Sequence, residues 1–310
     1  MPKVAILSRD ARSYQTLVNN AQLPDLELLF VEDKTVDFDY SQIDILFGDP
    51  DLTSLIVKQC SNLKWLQSTW AGNANLLALE KNDYQLCGVK DVYQHLMQEY
   101  VFAYILNFSR NISGFSQAQQ NKSWHKPQYQ PLAGKTIGIM GVGNIGKAIA
   151  KMAKNFSMKT RGYSNTSNDC DAVDQYFRPN QEEAFATGLD FLVCLLPQTQ
   201  ATTKLIDSDF LCYLPPQNIL INVGRGSTID DDALIEALKN KTIQAAVLDV
   251  FNQEPLPETH PFWEMDNVFV TQHTAAESFP TDIFPIFKDN YLRYFKGESL
   301  LYVLDFAKGY

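Results

Sequence analysis

Three residues in the second half of the chain have the types that proton and hydride chemistry needs. They are Arg225 in NVGRG, Glu254 in DVFNQEP and His273 in TQHTAA. Each follows a short apolar run that reads as a buried strand, and all three lie beyond a glycine-rich turn, GVGNIG, at Gly141 to Gly146. In an open parallel α/β sheet, ligands sit outside the carboxyl ends of the strands. A cation, a carboxylate and an imidazole therefore converge beside the place where a dinucleotide would lie, which is the equipment for reducing a 2-oxo acid. Hydride reaching a carbonyl carbon creates an alkoxide that needs a proton, and an imidazole can hold one near neutral pH and give it up. A carboxylate accepting from the other ring nitrogen fixes the ring and favours its charged form. The planar fork of an arginine can hold a substrate carboxylate and polarise the carbonyl, a geometry lysine lacks. Singly, each residue has a structural reading: a surface arginine, a turn glutamate before Pro255, a satisfied core histidine. Jointly those readings are poor, because all three fall at the ends of consecutive strands of one sheet. His95, His125 and His260 lack that setting and receive no chemistry.

The turn itself fits G-x-G-x-x-G at Gly141, Gly143 and Gly146. It follows a predicted strand, TIGIMG, and opens a predicted helix, KAIAKMAKNF, which is the context a dinucleotide fingerprint requires. The helix N-terminus offers unpaired N–H groups and a partial positive charge to the pyrophosphate. NAD-preferring sites place Asp or Glu after the second strand, to bind the ribose 2′-OH. Here that position falls at Ser164 and Asn165 in RGYSNTS, with no carboxylate. Ser164, Asn165, Thr166 and Ser167 can donate to a 2′-phosphate instead. The expected cofactor is therefore NADP, with NAD as the alternative. A cation for the phosphate is not obvious, since Arg161 can face away along its strand.

These residues need elements to hold them. The first hundred residues alternate KVAILS, LELLFV, DILFGD, LKWLQST and YQLCGV as strands with SYQTLVNNA and LTSLIVKQC as helices. That alternation predicts βαβ units and a parallel sheet. Asp91 to Arg110 is the strongest helix candidate, with Val92, Leu96, Tyr100, Ala103 and Phe108 at helical spacing. Its apolar width points to burial between domains or subunits. Residues 111–132 read as a polar connector, with Trp124 either a packed anchor or a pocket wall and packing favoured. From Lys135 six strands follow: TIGIMG, MKTRGYS, DFLVCLLP, NILINVG, AAVLDV and NVFVTQH. After Ala275 the chain turns helical, and LLYVLDF near its end returns to the first domain.

The chain has 310 residues, which fits two domains, and 45% are hydrophobic, which is enough for sizeable cores. The net charge of −10 argues against nucleic-acid or anionic-membrane partners, so an anionic substrate must be held by local cations. No segment reads as a signal or a membrane span. The five cysteines form no CxxC and no metal-ligand cluster; they read as buried free thiols of a cytoplasmic protein.

Longer words carry a family likeness: LAGKTIGIMGVGNIG, LLPQTQATTKLI, INVGRGSTIDDDALIEAL, LDVFNQEPLP and TQHTAA. With Arg, Glu and His in that order, the chain resembles the D-isomer-specific 2-hydroxyacid dehydrogenases, especially the glyoxylate/hydroxypyruvate reductase branch. The likeness covers the second domain and extends weakly into the first. It departs in having Gln272, where the family often has proline, and in lacking the acidic residue after the second strand. The resemblance implies two doubly wound parallel-sheet α/β domains, a Rossmann-type cofactor domain (103–277) inserted in a flavodoxin-like substrate domain (1–102 and 278–310). It implies a homodimer acting on glyoxylate or hydroxypyruvate, with Arg225, Glu254 and His273 catalytic. Gly141, Gly143, Asn144, Ile145, Gly146, Pro197, Thr202, Val223, Gly224 and Asp249 match cofactor contacts, Asp249 near the nicotinamide amide. In STWAGN, the amides of Trp70, Ala71 and Gly72 match the loop that holds the substrate carboxylate, although Trp70 reads equally as a core residue. A dinucleotide-sensing corepressor on the same fold, or a D-lactate or D-glycerate dehydrogenase, remains open.

Overall fold

The computed structural model describes residues 1–306 and divides into two compact units. The first unit takes Met1–Val92 and the segment from Ser278, and the second takes Tyr93–Glu277. The first unit begins with β1 (Lys3–Leu7), α1 (Ala11–Ala21), β2 (Glu27–Glu32), β3 (Ile45–Gly48), α2 (Pro50–Thr53), β4 (Trp65–Ser68), α3 (Ala74–Leu77) and β5 (Gln85–Cys87). Its five strands are all parallel in the order β2-β1-β3-β4-β5, the flavodoxin-like arrangement. β1, β3 and β4 are nearly or wholly buried, as expected of parallel strands covered on both faces.

The second unit holds α4 (Gln94–Arg110), α5 (Ile112–Gln120), β6 (Thr136–Met140), α6 (Asn144–Asn155), β7 (Lys159–Tyr163), β8 (Gln175–Phe177), α7 (Glu182–Ala186), β9 (Phe191–Cys194), α8 (Ser208–Tyr213), β10 (Ile219–Asn222), α9 (Asp231–Lys239), β11 (Ala245–Leu248) and β12 (Val268–Val270). Its seven parallel strands run β12-β11-β10-β9-β6-β7-β8, so the order reverses between β6 and β9. That reversal defines the crevice in which a Rossmann sheet takes its dinucleotide. Strand alternation splits the core between the two faces. Ile137, Ile139, Val193, Ile221 and Val247 pack in one cluster, and Met140, Leu192, Cys194, Leu220 and Leu248 in the other.

The chain closes on the first unit through α10 (Pro280–Lys296). Phe287 stacks on Phe47 with centroids 4.3 Å apart, and Asn290 Nδ2 donates to the buried Gln67 Oε1 at 2.9 Å. The LLYVLDF segment returns as expected, with the Leu304 amide donating to the Leu86 carbonyl at 2.8 Å.

Several expectations differ from the structure. The sequence reading set the first domain boundary after residue 102, whereas the units part at Val92. The reason is packing: Val101, Phe102 and Ile105 of α4 are buried in the second unit's core beside Ile149 and Ala153 of α6. The expected connector contains a helix, α5, that buries none of its residues. Trp124 is no packed anchor, being 97% exposed beyond it. The sheet has a seventh strand, β8, too short to register as a strand pattern. Among the described residues, no helix is long and apolar enough to cross a membrane.

All five cysteines are free, but only four are buried; Cys212 is exposed on α8. Burial pushes the Cys60 and Cys194 thiols up to about 11 and that of Cys87 to about 12. Native protein at pH 8 should therefore give one fast thiol with Ellman's reagent, lost in Cys212→Ser, and the remainder only in denaturant. A second fast thiol would contradict this packing.

Candidate active site

Every sequence-nominated residue of the second unit follows the carboxyl end of a strand, apart from the helix-opening turn and its neighbours. Gly141 follows β6, Ser164 follows β7, Pro197 lies just past β9, Arg225 past β10, Asp249 directly after β11 and His273 past β12. The placement expected from the apolar runs is the placement observed.

The glycine turn shows different physical reasons for its glycines. Gly141 has φ +99°, a conformation side chains rarely adopt. A Cβ on Gly146 would sit 2.2 Å from the Gly141 carbonyl oxygen, so α6 can approach β6 only without one. Gly143 has φ −83°, and a Cβ there would meet nothing within 4 Å. The polypeptide does not itself require glycine at 143, whereas a pyrophosphate drawn against the backbone would. Asn144, Ile145 and Gly146 form the first turn of α6, and the first bond within the helix runs from the Lys147 amide to the Gly143 carbonyl at 2.9 Å. This is a cradle that fits a dinucleotide.

Beyond β7, the Ser167 amide donates to Ser164 Oγ at 3.1 Å, while Asn165 and Thr166 are exposed. Arg161 does face away: its Nη1 donates to the carbonyls of Phe185 and Thr187 at 3.0 and 2.6 Å. The cation at this loop is instead Arg178, which the sequence reading missed. It follows β8, and its Nη1 donates to the carbonyls of Ser164 and Ser167 at 2.5 and 2.9 Å. Its Nε and Nη2 have no acceptor among the described residues. The residue would have been found had QYF been recognised as a third strand beside β7.

Thr202 shapes the turn after β9, with Oγ1 donating to the Pro197 carbonyl at 2.6 Å and accepting from the Thr199 amide at 2.9 Å. Val223 is buried, and Gly224 and Gly226 bracket Arg225. A Cβ on Gly224 would lie 2.8 Å from the Leu196 carbonyl oxygen, and one on Gly226 would lie 1.9 Å from the Phe251 carbonyl carbon. The backbone at Arg225 is thus wedged between two neighbouring strand ends. Arg225 Nη1 donates to the Gly224 carbonyl at 2.7 Å, and no carboxylate pairs with this guanidinium among the described residues.

Asp249 is 1% exposed, and it organises the loop that carries the histidine. Its Oδ1 accepts from Thr271 Oγ1 and the Thr274 amide at 2.6 and 2.8 Å. Its Oδ2 accepts from the Ala275 amide at 3.0 Å, and its backbone carbonyl accepts from the His273 amide at 2.8 Å. The Tyr100 hydroxyl of α4 lies 2.6 Å from Thr271 Oγ1. These bonds hold His273 at φ +57°, a left-handed conformation that costs about 1–2 kcal/mol without glycine. Such strain persists only where the surroundings over-determine it.

His273 Nδ1 lies 2.8 Å from Glu254 Oε2, and Glu254 Oε1 accepts from the Phe251 amide at 2.9 Å. A carboxylate at Nδ1 makes that nitrogen the donor, which leaves Nε2 to exchange a proton. Nε2 has no partner among the described residues. The side chains are 55% and 37% exposed, so this is no satisfied core histidine. Exposed ion pairs contribute only about 0–1 kcal/mol, so the strained loop is not explained by what the pair adds to stability. His260, by contrast, caps a turn: its Nδ1 accepts from the Phe262 amide at 3.3 Å.

In the first unit, the Trp70 amide donates to Ser68 Oγ at 3.1 Å and is not open to a ligand. The amides of Ala71 and Gly72 have no acceptor among the described residues. Trp70 is half-buried; the core tryptophan is Trp65.

A doubly wound sheet with a glycine cradle at its switch point, and a histidine–carboxylate pair past its last strand, defines a dinucleotide-dependent oxidoreductase architecture. Residues 102–275 match the family model of the D-isomer specific 2-hydroxyacid dehydrogenase NAD binding domain, and the chain belongs to that family. It is 34% identical over 214 residues to glyoxylate/hydroxypyruvate reductase A of Serratia proteamaculans, covering 69% of this chain and 68% of that protein. The crystal structure of a D-isomer specific 2-hydroxyacid dehydrogenase family protein from Aeromonas salmonicida superposes with a TM-score of 0.94 at 35% identity, covering 98% of this chain and 99% of that one. An NADPH-dependent glyoxylate/hydroxypyruvate reductase from Sinorhizobium meliloti, solved with NADP and sulfate, gives a TM-score of 0.86 at 26% identity over all of both chains.

The glycine geometry separates fold from ligand. Gly146→Ala should destabilise the protein by about 1–3 kcal/mol, because the added carbon meets backbone. Gly143→Ala should leave the thermal midpoint in place and weaken dinucleotide binding at least tenfold. Thermal unfolding and cofactor titration of both variants check this; a cofactor affinity unchanged in Gly143→Ala contradicts it.

Proposed function

We propose that this protein is an NADPH-preferring reductase of small 2-oxo acids, glyoxylate and hydroxypyruvate foremost, yielding D-2-hydroxy acids. The observation that carries the reading is the His273–Glu254 pair, 2.8 Å long, with Nε2 left without a partner among the described residues. The bound nicotinamide would supply hydride to the carbonyl carbon. Protonated His273 gives its Nε2 proton to the oxygen of the nascent alkoxide, while Glu254 keeps Nδ1 as a donor and the ring in place. Arg225 presents its fork to the substrate carboxylate and the carbonyl oxygen, where it stabilises developing charge. In the first unit, the amides that the family resemblance assigns to a substrate carboxylate are those of Ala71 and Gly72, which have no acceptor among the described residues. Glycines 141, 143 and 146 admit the pyrophosphate, and Pro197, Thr202, Val223 and Gly224 line the cofactor's path. Asp249 acts there chiefly by fixing the 271–275 loop.

NADPH is favoured because residues 164–167, directly after β7, carry hydroxyl and amide groups and no carboxylate, and because Arg178 has no acceptor for Nε and Nη2 among the described residues and can offer them to a 2′-phosphate. The NADP bound to the Sinorhizobium meliloti relative supports the same preference. A cytoplasmic location agrees with five free thiols. A homodimer agrees with the exposed apolar groups Ile112, Phe115, Trp124 and Tyr129 along one stretch of chain; sedimentation equilibrium measures it, and a monomer at micromolar concentration would exclude it.

Initial rates with glyoxylate and hydroxypyruvate, each with NADPH and NADH, test the reading. NADPH should support the faster turnover. His273→Gln should lower kcat at least about 100-fold while NADPH binding stays within twofold. No turnover of any small 2-oxo acid by the wild type would overturn the assignment in favour of a dinucleotide-sensing protein. Arg178→Ala should raise KM for NADPH about tenfold to a hundredfold, the worth of a charge-assisted hydrogen bond, and leave KM for NADH alone. An equal loss with both cofactors would make Arg178 merely structural.

A further inference from the structure

A second polar cluster stands at the carboxyl ends of three neighbouring strands of the first sheet. Asp49 follows β3 and is 3% exposed. Its Oδ1 accepts from Ser8 Oγ, past β1, at 2.8 Å and from Thr69 Oγ1, past β4, at 2.6 Å. Its Oδ2 accepts from the Arg9 amide at 2.9 Å and from Arg9 Nη1 at 3.3 Å. One carboxylate thus ties the ends of β1, β3 and β4 together. The Arg9 guanidinium also forks onto Asp51, with Nη1–Oδ1 3.1 Å and Nη2–Oδ2 2.6 Å. Its central carbon lies 5.6 Å from the centre of the Trp70 ring.

Two carboxylates already meet this guanidinium, so it is not a spare cation for an anionic substrate. Its remaining neighbour is the indole that opens the 70–72 turn. That turn is pinned through its carbonyls: Asn73 Nδ2 donates to the carbonyls of Trp70 and Ala71, each at 3.2 Å. The amides of Ala71 and Gly72 are left for a ligand. A planar fork can pair with Asp51 at its edge and present a face to an indole in one arrangement; an ammonium cannot.

We propose that Arg9 is a positioning residue of the substrate site. Asp49 and Asp51 fix its guanidinium, which clamps the Trp70 indole and thereby sets the direction of the Ala71 and Gly72 amides. The clamp rests on the proposed reading of those amides as the carboxylate site. The clamp belongs to the first unit and includes neither His273 nor the glycine turn, both of the second, so its loss has a particular kinetic form.

The test is steady-state kinetics of the full chain with hydroxypyruvate and NADPH, for Arg9→Met, Arg9→Lys, Trp70→Leu and the Arg9→Met/Trp70→Leu double variant. Arg9→Met and Arg9→Lys should each raise KM for hydroxypyruvate about tenfold, as slight misplacement of a binding group does, with KM for NADPH and the thermal midpoint held. In the Trp70→Leu background, Arg9→Met should add less than twofold, because the arginine acts through the indole. Full additivity in the double variant, an unchanged KM in Arg9→Met, or kcat and both KM values moving together would each overturn the clamp. Oxamate, an unreactive 2-oxo acid analogue, separates this proposal from the assignment of activity. If the wild type reduces no 2-oxo acid but binds oxamate by calorimetry, a tenfold weaker Kd in Arg9→Met upholds the clamp while the assigned reaction falls. Absence of oxamate binding to the wild type overturns the clamp too.

Discussion

The second unit depends on one buried carboxylate. Asp249 gathers a hydroxyl and two amides from the loop after β12, and its backbone carbonyl takes a third amide, that of His273. A polar group taken out of water costs free energy unless it is hydrogen-bonded, and here the partners all come from one short loop. The saving is therefore conditional on that loop's shape. The loop's shape in turn holds His273 in a left-handed conformation and brings its Nδ1 to Glu254. Burial at the end of β11 thus becomes orientation of an exposed side chain past β12.

The same logic of adjoining strand ends recurs across the sheet. Arg225 is placed by two glycines that admit backbone from the turns after β9 and β11, so its position is set by sterics and not by an ion pair. Among the described residues no carboxylate pairs with it, which matters in a chain with a net charge of −10. A small anion is repelled by the chain as a whole and must be drawn by local donors, and unpaired guanidinium groups supply them. Arg178 and Arg225 pair with no carboxylate among the described residues, whereas the charge of Arg9 is met by Asp49 and Asp51.

Much of this was legible in the amino-acid sequence, for a physical reason. Parallel strands buried on both faces are continuous apolar runs, so FLVC, ILIN and AAVL announce themselves, and whatever follows them lies at the ligand edge of the sheet. The glycine fingerprint and the Arg, Glu and His words were found by that rule. What escaped was short or depended on side-chain direction. β8 has three residues and no apolar run, so Arg178 was not recognised as ending a strand beside Ser164. Arg161 was correctly doubted, because alternate residues of a strand face opposite sides, but the phase could not be fixed from RGYS alone. The type of Trp124 favours packing over a pocket wall, but its environment is a property of the fold around it, and it is 97% exposed. The domain boundary after 102 split α4, because its apolar stripe does not say which core it belongs to.

Both margins of the larger sheet end in strands of three residues, β8 and β12. A margin that short presents few unpaired backbone groups, so it is a poor template for another chain to extend, and self-association by strand addition is discouraged. The brevity has a second effect. The chain leaves the sheet early at each margin, and the residues it then delivers are Arg178 at one side and His273 at the other. Lengthening either strand would offer a stickier border and at the same time carry one of those side chains away from its loop. Resistance to aggregation and placement of the functional groups are thus bound to the same few backbone hydrogen bonds.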